Sequence, residues 1–213
     1  MAYLFRGVDA GWYAVRTLRY LSSSGATFPG CACLGFLPTL KDWVFFWRIT
    51  SKIKALHPYN QNVDTVFGLF HDPDFMKDKY AGVGARNVEI LECAGSEGHY
   101  RIKTRREVPA DVPALLKKFL NPWNTLVQSE QWEGKAGGPY HCKVNVEISG
   151  VPVSIETEME LRTQGDGCVN DVRLEVKCGI PLVGGKLANF VGGDAEKAVQ
   201  AEYEFIRNHL AKA

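Results

Sequence analysis

From Asn87 to Cys178 apolar and polar residues alternate in long runs. Asn87 to Cys93 and His99 to Val108 have a period of two on either side of Ala94-Gly95-Ser96-Glu97-Gly98, which predicts two strands and a turn. Leu126 to Glu133 is a third such segment, and Gly137-Gly138-Pro139 turns it into Tyr140 to Ser149. There Val144, Val146 and Ile148 share a face opposite Lys143, Asn145 and Glu147. After Gly150, the residues Val151, Val153, Ile155, Thr157, Met159 and Leu161 fall on one face, and Gly165-Asp166-Gly167 marks the next hairpin. The last alternating run sets Val172, Leu174, Val176 and Cys178 against Asp171, Arg173, Glu175 and Lys177. Clean alternation means an antiparallel sheet with one covered and one wet face.

The period then changes. Leu187, Phe190, Val191, Ala195, Ala198, Val199, Glu202, Ile206 and Leu210 recur at spacings of three and four. They form one helical stripe, broken only by the charge of Glu202. A helix of about 28 residues would extend roughly 42 Å, and only the preceding sheet offers enough apolar surface to cover it. Gly192 and Gly193 interrupt it, predicting a kink or extra room where the helix crosses a cavity, with Asp194 as a cap that could restart the helix.

Upstream, Ser51 to His57 reads as a short strand. Asn62 is a predicted cap for a helix through Val63, Val66, Phe67, Leu69 and Phe70. Asp72-Pro73 begins a second helix carrying Phe75, Met76, Lys79 and Tyr80, which stops at Gly82-Val83-Gly84. Between the second and third of the six later strands, Asp111 is predicted to cap a short apolar helix from Ala114 to Leu120, either a lid over a cavity or a plug in one end of the sheet. The order is strand, two short helices, six strands, long helix. This predicts an α+β fold in which a seven-stranded curved antiparallel sheet wraps around one C-terminal helix.

Composition adds little for the core but separates the N-terminus. Apolar residues make up 46% of 213, and 25 basic against 24 acidic residues leave a charge of +1, so no global field recruits nucleic acid or an anionic membrane. Residues 1–50 hold eleven of the 24 aromatic residues with no clear period. Pro38, Lys41 and Asp42 interrupt their most apolar stretch, which argues against a spanning helix. Residues 1–49 are therefore expected to be an N-terminal extension outside the domain, with membrane association or organelle targeting as the other readings. Residues 50–213 are expected to form the domain. The six cysteines include no C-x-x-C, and four lie in strand-like segments. A domain of this size is not expected to need a disulfide framework, so a reducing, cytoplasmic location is expected.

Four stretches carry a family resemblance: His71-Asp72-Pro73-Asp74-Phe75, Gly84-Ala85-Arg86-Asn87-Val88, Val108-Pro109-Ala110-Asp111-Val112-Pro113, and Ile180-Pro181-Leu182-Val183-Gly184-Gly185-Lys186. Through them residues 52–211 resemble the bacterial family known as domain of unknown function 2505. The order of elements resembles the helix-grip fold of the START-like superfamily, which includes polyketide cyclases and birch-pollen-allergen-like proteins. The resemblance implies a hydrophobic cavity and a lipid or other apolar ligand. It implies no catalytic residues.

Other motifs carry less chemistry. Gly179 to Lys186 fails as a phosphate loop, because Gly185 stands where the lysine belongs and Leu187 follows Lys186. Gly82 to Asn87 lacks the last glycine of a dinucleotide fingerprint. His71, Asp72 and Asp74 read as a helix start, so neither metal nor cofactor is expected. Arg101, Lys103 and Arg105 read as a solvated stripe paired with neighbouring acids. Arg106 shares a face with Tyr100 and Ile102, so it points inward and needs a partner. A ligand carboxylate or phosphate and Glu130 are both open to it.

Three functions stay open. A non-enzymatic carrier or sensor would line its cavity with Tyr100, Ile102, Val146, Met159, Leu174 and Phe190, with Trp123 and Trp132 near the mouth and Arg106 and Glu130 as polar anchors. A cyclase- or hydrolase-like enzyme would use Arg106 with Glu130 in the same cavity. A protein-interaction module would act through the outer sheet face or the helix.

Overall fold

The computed structural model describes residues 49–180 and 183–212. The expectations for residues 1–48, Pro181 and Leu182 lie outside the described residues. Strand β1 (Ile49–Tyr59) leads into α1 (Val63–Phe70) and α2 (Pro73–Gly82). Strands β2 (Arg86–Ser96), β3 (His99–Pro109), β4 (Trp123–Glu133), β5 (Tyr140–Ile148), β6 (Val153–Gln164) and β7 (Gly167–Cys178) follow, then α3 (Gly184–Leu210). The seven strands make one antiparallel sheet in the order β1-β7-β6-β5-β4-β3-β2. Five consecutive hairpins build β2 to β7, and β1 joins the β7 edge because α1 and α2 carry the chain to the opposite edge.

The short helices start where the sequence predicts. The Asn62 side chain accepts from Thr65 N at 2.8 Å. Asp72 accepts from Asp74 N at 2.9 Å and Phe75 N at 3.2 Å, with Pro73 at the first turn. The β2–β3 turn is tighter than predicted. Both strands run on to Ser96 and His99, leaving only Glu97 and Gly98 at the tip, with φ of 52° and 84°. Two positive φ values in a two-residue loop match the right-handed twist of the strands.

Two local expectations need correction. Residues 114–120 do not form a helix: the helical part is a single 3₁₀ turn, Ala114–Leu116, preceded by Pro113, and Asp111 caps nothing. Leu116 and Leu120 are still buried, so burial of two leucines and not helix propensity fixes this loop. Likewise α3 runs unbroken through Gly192-Gly193, and Asp194 is no cap but pairs with Lys197 one turn on, at 3.3 Å. Gly192 has a packing role. A Cβ there would meet Ser51 Oγ at 2.8 Å, so its absence lets α3 lie against β1. The 27 residues of α3 span about 40 Å and end with Arg207 and His209 in the last turn, favourable beside the helix's negative end. Gln61 Nε2 donates to Leu210 O at 3.1 Å and ties that end to the β1–α1 connection.

The core lies between the inner sheet face, α1, α2 and α3. On the outer face Arg101 pairs with Glu92 and Arg105 with Glu89, at 3.3 and 3.6 Å, as the charged stripe predicts. Among the described residues no helix is long and apolar enough to cross a membrane.

Candidate ligand cavity

Side chains on the inner faces of β3 to β7 are mostly small or branched towards the middle of α3. Val144, Val146 and Ile148 come from β5, Ile155 and Met159 from β6, and Val172 and Leu174 from β7. Opposite them α3 presents Phe190, Val191, Ala195 and Val199. These do not meet, and a partly open cavity of about 310 Å³ remains between sheet and helix. That volume lies at the low end of the range for small-molecule sites, whose walls are likewise mainly apolar with a few placed polar groups.

Most of its polar groups form three sets, with Asn124, Thr157 and Asp194 also on the wall. In the first, Lys79 Nζ on α2 pairs with Glu202 Oε2 on α3 at 2.9 Å. Burial opposes the charge on Lys79, but Glu202, aided by Tyr80 and Glu130, overcomes it and holds the ammonium above its usual pKa. Burial likewise opposes ionisation of Glu202, yet Lys79 and then Arg106 outweigh it, and the carboxyl lies below its ordinary value. Both partners stay charged near neutral pH.

In the second set, Arg106 donates to Gln128 Oε1 at 2.7 Å and Thr104 Oγ1 at 3.2 Å, and its guanidinium lies 3.9 Å from the centre of the Tyr80 ring. Gln128 Nε2 donates onward to Glu130 Oε1 at 2.7 Å, and Trp132 Nε1 donates to Glu130 Oε2 at 2.8 Å. Antiparallel register sets Thr104 opposite Gln128 and Arg106 opposite Leu126, so these inward side chains form a short row. Gln128 thus stands between Arg106 and Glu130, which sequence alternation would pair directly.

The third set is incomplete. His57 on β1 and Asn170 on β7 are cross-strand partners facing the cavity. They are only 5% and 3% exposed, yet among the described residues His57 Nε2 and Asn170 Oδ1 have no hydrogen-bond partner. The His57 ring stacks on Tyr203 of α3 at 4.4 Å. Burial lowers the His57 pKa below its usual value, against a smaller opposing pull from Glu202, so the ring is neutral.

Of the residues predicted to line a cavity, Arg106, Glu130, Val146, Met159, Leu174 and Phe190 do so. The other four lie outside its wall. Tyr100 stacks on His71 at 4.0 Å and Ile102 is buried in the core. Trp132 is buried against Phe70 at 5.2 Å, away from the mouth. Trp123, 37% exposed, lies under the Arg86 guanidinium at 3.8 Å. Large aromatic rings pack against one another and fill the space they were expected to border. Sequence reasoning missed Lys79, Glu202, Gln128, His57 and Asn170. Two had a signal: Glu202 is the only charge in the α3 stripe, and Asn170 continues the inward face of Val172 and Leu174.

Among the described residues no group of three His, Cys, Asp or Glu side chains converges as a metal site would require. Cys93, Cys142, Cys168 and Cys178 are free thiols. Burial pushes Cys168 up to about 11, which leaves it a poor nucleophile.

The chain is similar in fold to TTHA0849 from Thermus thermophilus, with a TM-score of 0.54 at 15% identity over 76% of this chain and 99% of that one. An uncharacterised protein from Rhizobium leguminosarum gives 0.51 at 9% identity, over 78% and 97%. Ara h 8.0201 gives 0.50 at 12% identity, over 77% and 99%. These likenesses place the domain in the helix-grip fold of START-like and birch-pollen-allergen-like proteins. No curated protein matches the sequence. A family model described as a protein of unknown function, DUF2505, matches residues 54–210.

Proposed function

The chain belongs to the DUF2505 family, and from that premise we propose that it binds a lipid or other hydrophobic small molecule between the sheet and α3, without catalysing a reaction on it. The observation that carries this reading is the cavity of about 310 Å³, walled by aliphatic side chains from β3 to β7 and α3. Interiors are normally packed to the density of organic crystals, so a space of this size in the middle of a domain needs an occupant of matching character.

The charged groups support binding over catalysis. A general acid or base works best with a pKa near the working pH, whereas Lys79 and Glu202 hold each other charged on either side of neutrality. Arg106 and Glu130 are joined through Gln128 and do not act as a pair.

Native mass spectrometry of gently purified protein tests the reading. A hydrophobic molecule co-purifying in a one-to-one ratio is the expected result. A bare chain that also fails to take up added apolar probes would refute it.

A further inference from the structure

The polar groups of the cavity restrict what the ligand can be. Two cations, Lys79 and Arg106, stand beside three carboxylates, Glu130, Asp194 and Glu202, and each is engaged by a protein group. An anionic ligand would add a fourth negative charge and find neither cation free. A cationic ligand would meet three carboxylates already occupied by Lys79, Gln128, Trp132 and Lys197. The cavity is built for a neutral occupant.

Among the described residues, the two fully buried side-chain polar atoms without a partner lie at one place. His57 Nε2 and Asn170 Oδ1 are on side chains directly opposite each other on β1 and β7, both more than nine-tenths buried. Asn170 Nδ2 has only a weak acceptor, Met159 Sδ at 3.7 Å. Asn170 Oδ1 can only accept. The neutral His57 ring offers Nε2 as donor or acceptor according to its tautomer. A hydroxyl is the smallest group that donates one hydrogen bond and accepts another, so it can serve both atoms at once. A carboxylate cannot donate to Asn170, an ether cannot either, and a hydrocarbon leaves both atoms orphaned.

Resting on the cavity-binding reading, we propose that the ligand is a neutral, largely apolar molecule bearing a hydroxyl group, held by that hydroxyl between His57 Nε2 and Asn170 Oδ1. The apolar body lies along Val146, Ile155, Val172 and Leu174 beneath Val191 and Ala195 of α3. The hydroxyl end sits by β1, beside Tyr203.

The test uses the full chain loaded with N-phenylnaphthylamine, a neutral probe that fluoresces in apolar surroundings. Dodecanol, dodecyl methyl ether and dodecanoate are then compared as displacers near neutral pH. Dodecanol is expected to displace the probe at a concentration at least about tenfold lower than either of the others, since a site with buried polar groups rejects analogues that leave them unpaired. In Asn170→Leu the advantage over the ether should fall towards parity. Equal displacement by all three, or a preference for dodecanoate, would overturn the hydroxyl assignment and leave the cavity reading standing. Failure of the wild-type chain to take up the probe would remove the cavity reading, and the assignment with it. The wild-type comparison needs no variant to fold.

Discussion

The space under the inner sheet face is filled at one end and open at the other. Beneath α1, Phe67 stacks on Tyr140 at 3.7 Å and meets Trp132 edge-on at 5.5 Å, while Phe70 stacks on Trp132 at 5.2 Å. His71 and Tyr100 extend this cluster towards the β2–β3 hairpin. Beneath the middle of α3, the same face of the same sheet carries Val144, Val146, Ile155, Val172 and Leu174, and the helix answers with Val191, Ala195 and Val199. Backbone geometry is shared; side-chain volume is not. Aromatic rings close the α1 end, and short aliphatic chains too far apart to meet leave the cavity. The polar groups follow the same division. Trp132 donates to Glu130 at the edge of the dense packing, while among the described residues His57 Nε2 and Asn170 Oδ1 stay unpaired under α3.

The largest effect is expected from breaking the filled end. Trp132→Ala should cost about 3–5 kcal/mol by urea denaturation, the range for large aromatic truncations, and it also strips Glu130 of a donor. A cost near that of a surface substitution would mean the two ends are alike.

Next comes the ion pair across α2 and α3. Glu202→Leu should cost about 3 kcal/mol, because it strands the buried Lys79 ammonium. The double variant Lys79→Met, Glu202→Leu should recover most of that loss. If the double variant were as unstable as the single, the pair would hold α3 in place by more than mutual charge compensation.

Adding volume sharpens the contrast. Val66→Phe, in fully buried α1 packing, should cost about 1–3 kcal/mol by overpacking. Val146→Phe adds the same atoms at the cavity wall and should cost under about 1 kcal/mol. Equal thermal shifts would contradict an open space at that wall.

The smallest effect concerns pH. The folded pKa of His57 lies below its ordinary value because burial opposes its charge, and His71 is lowered for the same reason. Between the folded values and about 6.5 the unfolded chain binds protons that the folded one does not. Stability should therefore rise with pH through that window and decline on acidification below about 6.5. In His57→Phe the slope should flatten, and an unchanged slope would remove His57 from the account.

Much of the fold was legible because its signals are local. The alternation of Val144, Val146 and Ile148 gave β5 its inward face, the stripe from Leu187 to Leu210 gave α3, and Asn62 and Asp72 announced their helices. Residues 114–120 misled because a run of leucines beside a capping aspartate looks helical, while burial of Leu116 and Leu120 sets the loop around a single 3₁₀ turn. The site was half legible. Inward phase identified Arg106, Glu130, Val146, Met159 and Leu174, but phase says nothing of what stands between two side chains, so Gln128 went unseen. Lys79 meets Glu202, and His57 meets Asn170, across more than a hundred residues of chain; only the β1–β7 register and the path of α3 bring them together. Glu202 advertised itself as a charge on an apolar stripe, and Asn170 by its inward phase with Val172 and Leu174.

The account stands most directly on the space beneath α3, and titration with N-phenylnaphthylamine measures that space. The wild-type chain should bind one equivalent saturably, with affinity reduced at least about tenfold, or about 1.4 kcal/mol, when Val146→Phe and Ala195→Phe fill the cavity together. Val66→Phe should leave the affinity unchanged in the molecules that remain folded. Binding that survives the filled cavity, or no binding by the wild type, would contradict the account.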